Sequence, residues 1–116
     1  LGVADGDTVR LVSRSNPQGA LDLGNGERRE MVGKVKAIEG IRRGVVAVSQ
    51  SYGHWGYGAQ QVEVDGVLVK GDSRRGKGLQ INPLLRLDEH TKTGCLTEPI
   101  GGSASFYDTR VRVQSA

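Results

Sequence analysis

Glycine decides most of what this chain can become. Eighteen of its 116 residues are glycine, and they fall in clusters that cut the sequence into short runs. Inside a helix each glycine costs about 1 kcal/mol relative to alanine. At turns and bulges the same residue supplies the positive φ that side chains resist. No window of about ten residues holds a helical apolar period, and proline is rare at three residues. The chain therefore reads as all-β or nearly so.

The runs between the glycines can be assigned one by one. Asp5-Gly6-Asp7 makes a turn, and residues 8–13 after it alternate, with Val9 and Leu11 on one face. Residues 14–30 are polar and rich in turn formers, so they read as a long mobile connection with Asn25-Gly26 as a hairpin turn. Residues 31–38 read as a second strand with Val35 and Ala37 inward, and residues 39–43 leave room for one helical turn before Gly44. Val45-Val46-Ala47-Val48 is continuously apolar, the mark of a strand buried on both faces. Residues 61–64 and 67–70 alternate about Asp65-Gly66, the clearest hairpin in the chain. Asn82-Pro83 excludes a regular central strand through residues 79–87. Residues 88–105 read as irregular, and residues 109–113 as the last strand, alternating apolar and basic.

Bulk properties narrow the function classes. A chain of this length fits one domain, residues 1–116, and can bury a real core without staples. Its single cysteine, Cys95, excludes an internal disulfide and a paired-thiol zinc site. The net charge is +3, with arginines dispersed in the pairs Arg28-Arg29, Arg42-Arg43 and Arg74-Arg75. Nucleic-acid binders more often gather their charge in one patch, so an anionic ligand is permitted but nucleic acid is not expected. No apolar run approaches the ~18 residues of a membrane span, so no direct insertion is expected. The chain opens without Met at Leu1-Gly2-Val3, directly before a turn. That is what the cut end of a longer protein looks like.

Three stretches carry chemistry. In SQSYGHWGYG, residues 49–58, Tyr52, Trp55, Tyr57 and His54 stand among Gly53, Gly56 and Gly58. The bland reading is a barrel corner whose rings cap a core. The functional one is a shelf for a flat ligand, with rings to stack on, glycine N–H groups close by, and Gln50, Ser51 and His54 as hydrogen-bonding edges. The second stretch, GDSRRGKG at residues 71–78, is either a solvated hinge or a phosphate cradle of glycine amides with Arg74, Arg75 or Lys77. It fails the P-loop spacing because Gly78 follows Lys77. The third is Asn82, a turn former whose carboxamide can also read the donor–acceptor edge of a heterocycle. Cys95, His90 and the pair Asp88-Glu89 lack the partners that nucleophilic or acid–base catalysis needs, so no catalytic residue and no metal ligand is assigned.

In order, LGVADGDTVRLVS, GKVKAIEGIRRGVVAVSQSYGHW, GLQINPLLRLDE and GGSASFYDTRVRV span nearly the whole chain. Together they resemble the C-terminal domain of the molybdopterin oxidoreductases of the dimethyl-sulfoxide-reductase superfamily. The final portion, INPLLRLDEH to GGSASFYDTRV, resembles most closely the tetrathionate, thiosulfate and arsenate reductase branch. The resemblance implies a six-stranded double-psi β-barrel, here with an extra hairpin at 61–70 and one or two short helical turns. It implies a non-catalytic clamp over molybdopterin guanine dinucleotide, with Mo or W held by two pterins and its protein ligand in another domain. Gln50, Ser51, Tyr52, His54 and Trp55 would face the pterin, Asn82 would bind a pterin edge, and Tyr107 and Asp108 would lie on the last loop towards the cofactor. The implied partners are the remaining domains of the same large polypeptide and an iron–sulfur electron-transfer subunit, with the small-molecule substrate reached elsewhere. The branch implies an exported, periplasmic or extracytoplasmic protein.

Other readings stay open on residues alone. A free-standing double-psi barrel could bind proteins or peptides, or serve as a small subunit of such an enzyme. A nucleic-acid module would show affinity that falls steeply with salt.

Overall fold

The computed structural model describes residues 2–24, 26–54 and 58–116. Two compact units are distinguished, one formed by Leu1–Ile38 with Ile81–Ala116 and the other by Glu39–Gln80. Secondary structure is mainly β. Seven strands are found among the described residues, with three 3-10 turns and no longer helix.

The first unit is built on β1 (Thr8–Ser13), the centre of a three-stranded antiparallel sheet. On one side lies β4 (Val32–Lys34), with Thr8 opposite Lys34 and Arg10 opposite Val32. On the other lies β7 (Val111–Ser115), with Val9 opposite Ser115 and Ser13 opposite Val111. Its central position explains why Val9 and Leu11 are buried, as their alternation requires, and why Val12 and Ser13 are buried as well. The turn before β1 is held by its own carboxylates. Asp7 accepts the Ala4 N–H at 2.7 Å and Asp5 accepts the Ala37 N–H at 2.7 Å. Gly6, at φ +88, donates to the Val35 carbonyl at 2.9 Å, which extends the β1–β4 pairing beyond the strands themselves.

Residues 14–30 are more ordered than the expected mobile connection. Asn16 clasps Ala20 from both sides, donating to its carbonyl at 2.8 Å and accepting its N–H at 3.2 Å. β2 (Ala20–Asp22) and β3 (Arg28–Glu30) then form an antiparallel hairpin. Asn25, half of the expected turn, lies outside the described residues. Met31 joins this hairpin to the sheet: its N–H donates to Gly19 at 2.7 Å and its carbonyl accepts from Leu11 at 2.9 Å. Its side chain is 1% exposed, the most buried large one described. The polar composition of 14–30 concealed this because a side-chain clasp, not an apolar face, fixes the segment.

Several boundaries differ from expectation. The second strand stops at Lys34, and Ala37 is exposed rather than inward because its N–H is taken by Asp5, which draws the backbone to the surface. The last strand begins at Val111, since Phe106–Asp108 forms a 3-10 turn immediately before it. Residues 39–43 form turns and bends rather than a helical turn. Asn82–Leu84 is a 3-10 turn with Pro83 inside it, in keeping with the absence of a strand there, and it buries Leu84 and Leu85. Residues 88–105 are irregular, tied by isolated bridges at Leu87–Cys95 and Thr97–Ala104.

In the second unit, β5 (Val62–Val64) and β6 (Val67–Val69) form the hairpin read from the sequence. Asp65 at φ +50 and Gly66 at φ +77 give the type I′ turn that matches strand twist. Val45 to Val48 form no strand, and Val45 and Val46 are 55% and 43% exposed, against the expected two-faced burial. A continuous apolar run specifies a need for cover, not a pairing partner, and no strand pairs with it among the described residues. The sheets have three, two and two strands, and no closed barrel forms among the described residues.

Candidate functional site

Within the second unit, two stretches that are far apart in sequence fold against each other. The Gly53 N–H donates to the Lys77 carbonyl at 2.9 Å, and the Asp72 N–H donates to the Gly58 carbonyl at 2.6 Å. The aromatic loop and GDSRRGKG are thus one structure. Their approach depends on missing side chains. Gly53 sits at φ +68, and a β-carbon there would stand 2.5 Å from the Gln80 nitrogen. Gly78 sits at φ +95, where a β-carbon would come 2.8 Å from that of Tyr52. Gly71 would similarly meet the Gln60 backbone at 2.4 Å.

This packing leaves the polar edge outward. Gln50, Ser51 and His54 are exposed, Tyr52 is 58% exposed, and Gly53 between them is buried. Ser51 adopts φ +67, a conformation that side chains seldom take. Trp55 and Tyr57 lie outside the described residues. Asp72 organises the basic segment. Its carboxylate caps the 3-10 turn Ser73–Gly76 by accepting the Arg74 N–H at 3.0 Å and pairs with the Arg74 guanidinium at 2.9 and 2.8 Å. These bonds hold the Asp72 carboxyl below its ordinary range, the Arg74 side chain contributing most. Arg74 is thus ion-paired with Asp72 at 2.8 Å, and the Lys77 charge also favours the ionised Asp72 carboxylate.

The first unit holds the other three expected residues, and it does not treat them alike. Tyr107 and Asp108 line an open cleft of about 1030 Å³ together with Ser13, Arg14, Arg86 and Arg110. Asn82 is exposed and is not part of its lining. Tyr107 is 92% exposed, its ring tilted at 46° to Phe106 with centroids 4.6 Å apart. The cleft's cations outnumber its free anions. Arg86 pairs with Glu89 at 3.1 Å, and the Thr91 and His90 N–H groups hold the Asp88 carboxyl below its usual range. Arg14, Lys92 and Arg110 have no carboxylate within pairing distance among the described residues. No group of three or more His, Cys, Asp and Glu able to hold a metal occurs among the described residues.

No family model and no solved structure matches the chain. Two reductases do, each through its A subunit. Over 114 residues, 98% of its length, the chain is 54% identical to the selenate reductase protein of Mesobacillus selenatarsenatis. Over 83 residues, 72% of its length, it is 30% identical to the tetrathionate reductase protein of Salmonella typhimurium. The chain belongs to the dimethyl-sulfoxide-reductase superfamily of molybdopterin oxidoreductases. It spans 11% and 7% of these two relatives, so it corresponds to a small part of a large-subunit architecture.

For this superfamily the residues can be tested against the implied pterin cofactor. The Gln80 side-chain oxygen is buried without a hydrogen-bond partner, and the Gln80 backbone nitrogen packs against Gly53. With Ser51, His54 and an exposed Tyr52 ring in the same unit, the donor and acceptor set fits a flat heterocycle with paired N–H and carbonyl edges. Gln80 escapes sequence reading, since a lone Gln before Ile81 carries no motif. Arg14 and Arg86 escape it for another reason. The cleft gathers residues from three distant segments, and strand register rather than local pattern brings them together.

Proposed function

We propose that this chain is the C-terminal domain of the large subunit of a molybdenum or tungsten oxidoreductase, clamping a molybdopterin guanine dinucleotide. The single observation that carries this reading is the 54% identity to a selenate reductase across almost the whole chain. The convergence of the aromatic loop with the glycine-rich basic segment supports it. We assign the whole of residues 1–116 to one domain of the superfamily's double-psi barrel type.

In this reading the bound metal and pterins supply the oxidation–reduction chemistry, and the chain's residues bind and orient. Gln50, Ser51, His54 and Gln80 offer hydrogen bonds to the pterin edge, Tyr52 and Trp55 offer ring faces, and Asn82 reads a second edge. Arg14 and Arg110 suit the anionic phosphates of the nucleotide portion, and Tyr107 and Asp108 beside them suit its uncharged hydrogen-bonding groups. Fixed donors at a cofactor set its position and so the rate of the step it carries. Selenate is the first substrate to try and tetrathionate the second, each an oxyanion named by a relative. An extracytoplasmic location and an iron–sulfur partner complete the proposal.

The test is the nucleotide. Acid denaturation of the native large subunit should release guanine nucleotide in the same amount as pterin, and the intact enzyme should oxidise a reduced dye with selenate. Pterin without guanine nucleotide would overturn the dinucleotide assignment.

A further inference from the structure

We infer, independently of that functional reading, that Asp65-Gly66 is a site of spontaneous isoaspartate formation and that Asp5-Gly6, the same dipeptide, is protected from it. A backbone N–H reaches a side-chain carboxyl most freely when glycine follows aspartate, because no β-carbon screens the attacking nitrogen. The chain contains two such pairs, each in a turn before a strand. At Asp5-Gly6 both reacting groups are engaged. The Gly6 N–H donates to the Val35 carbonyl at 2.9 Å, the Asp5 carboxylate accepts the Ala37 N–H at 2.7 Å, and Lys36 pairs with its other oxygen at 3.5 Å. At Asp65-Gly66 neither the carboxylate nor the Gly66 N–H has a hydrogen-bond or ion-pair partner among the described residues. Every residue from 61 to 70 is exposed, and each strand of the hairpin is three residues long. A two-stranded hairpin of this kind is marginal in water. It opens locally, which lets the backbone turn at Asp65 and bring nitrogen to carbon.

The step balances with water as its only co-reactant. The Gly66 nitrogen bonds to Cγ of the neutral Asp65 carboxyl, the amide proton and the carboxyl hydroxyl leave as water, and a succinimide ring results. Water then opens the ring at either carbonyl. One cleavage restores aspartate. The other leaves a free α-carboxylate and routes the main chain through the side-chain carbonyl, adding a methylene to it. Strand register in a hairpin is set by its turn, so the longer link uncouples the Val64–Val67 and Val62–Val69 pairs. At Asp5-Gly6 the same ring closure must first break the bonds that extend the β1–β4 pairing.

The experiment ages the full native polypeptide in warm, mildly acidic buffer made with heavy-oxygen water. Peptide mass spectrometry with electron-transfer fragmentation reads isoaspartate and heavy oxygen at positions 5 and 65 of the same sample. Position 65 should gain both at least about tenfold faster than position 5. Equal rates, a faster rate at position 5, or no isoaspartate at either would overturn the inference. In urea the two rates should converge. A preference for position 65 that survived unfolding would trace to sequence rather than structure and overturn the protection of Asp5. Asp65→Asn supplies a second reading, since the same ring closure then expels ammonia in place of water. A variant that kept its side-chain amide through the same ageing would also overturn the inference.

Discussion

Gly53 lies so close to Gln80 that a β-carbon on it would stand 2.5 Å from the Gln80 backbone nitrogen. That contact, with the Gly53 N–H bond to Lys77, joins the aromatic loop to the basic segment. Gly53→Ala meets both a backbone clash and a φ of +68. Each is a recognised source of roughly 1–3 kcal/mol of destabilisation. The variant enzyme should lose cofactor occupancy, read as molybdenum per chain, while Gly40→Ala, which meets open space, should not.

Met31 makes the corresponding test in the first unit. It is 1% exposed and its backbone bridges Gly19 and Leu11. Met31→Ala should cost about 2–5 kcal/mol through the cavity it leaves. The backbone bonds remain, so the loss should show in protease resistance or urea midpoint.

His54 is exposed and its part in the proposed site is a side-chain hydrogen bond. A single side-chain hydrogen bond, at most about 3 kcal/mol, is too small to hold the cofactor alone. His54→Ala should therefore loosen the cofactor without releasing it, seen as faster metal loss on dialysis. Full retention with full activity would remove His54 from the site.

Asp72 gives a pH prediction. Its folded carboxyl titrates below the ordinary 3.8 because Arg74 favours the charged form. The unfolded chain takes up the proton first as pH falls, so the contribution is complete above 3.8 and is lost through the lower folded value. The stability gap between the native residue and Asp72→Asn should be present at about pH 6 and shrink as the pH falls below 3.8. A gap that widened on acidification would contradict the pairing.

How much of this was legible in the sequence depends on what kind of constraint acted. Asp65-Gly66 announced its hairpin because a type I′ turn demands φ > 0 at both positions. Val9 and Leu11 announced their buried face by alternation. Val45 to Val48 misled because apolar continuity records a need for burial and cannot name the strand that would pair. The hairpin at 20–30 was hidden because Asn16 fixes it through side-chain bonds rather than an apolar pattern. At the site, the aromatic loop and GDSRRGKG were each visible, but their contact depends on absent β-carbons at Gly53, Gly71 and Gly78. Composition counts such glycines without saying which of them face each other.

The most direct test of the central claim is made on the native polypeptide. An antibody to this domain would capture it from its source, and its mass and molybdenum or tungsten content would be measured together. A large chain carrying about one metal per molecule, as expected where a cofactor does the redox chemistry, is the predicted result. A 12.4 kDa chain without metal would contradict it.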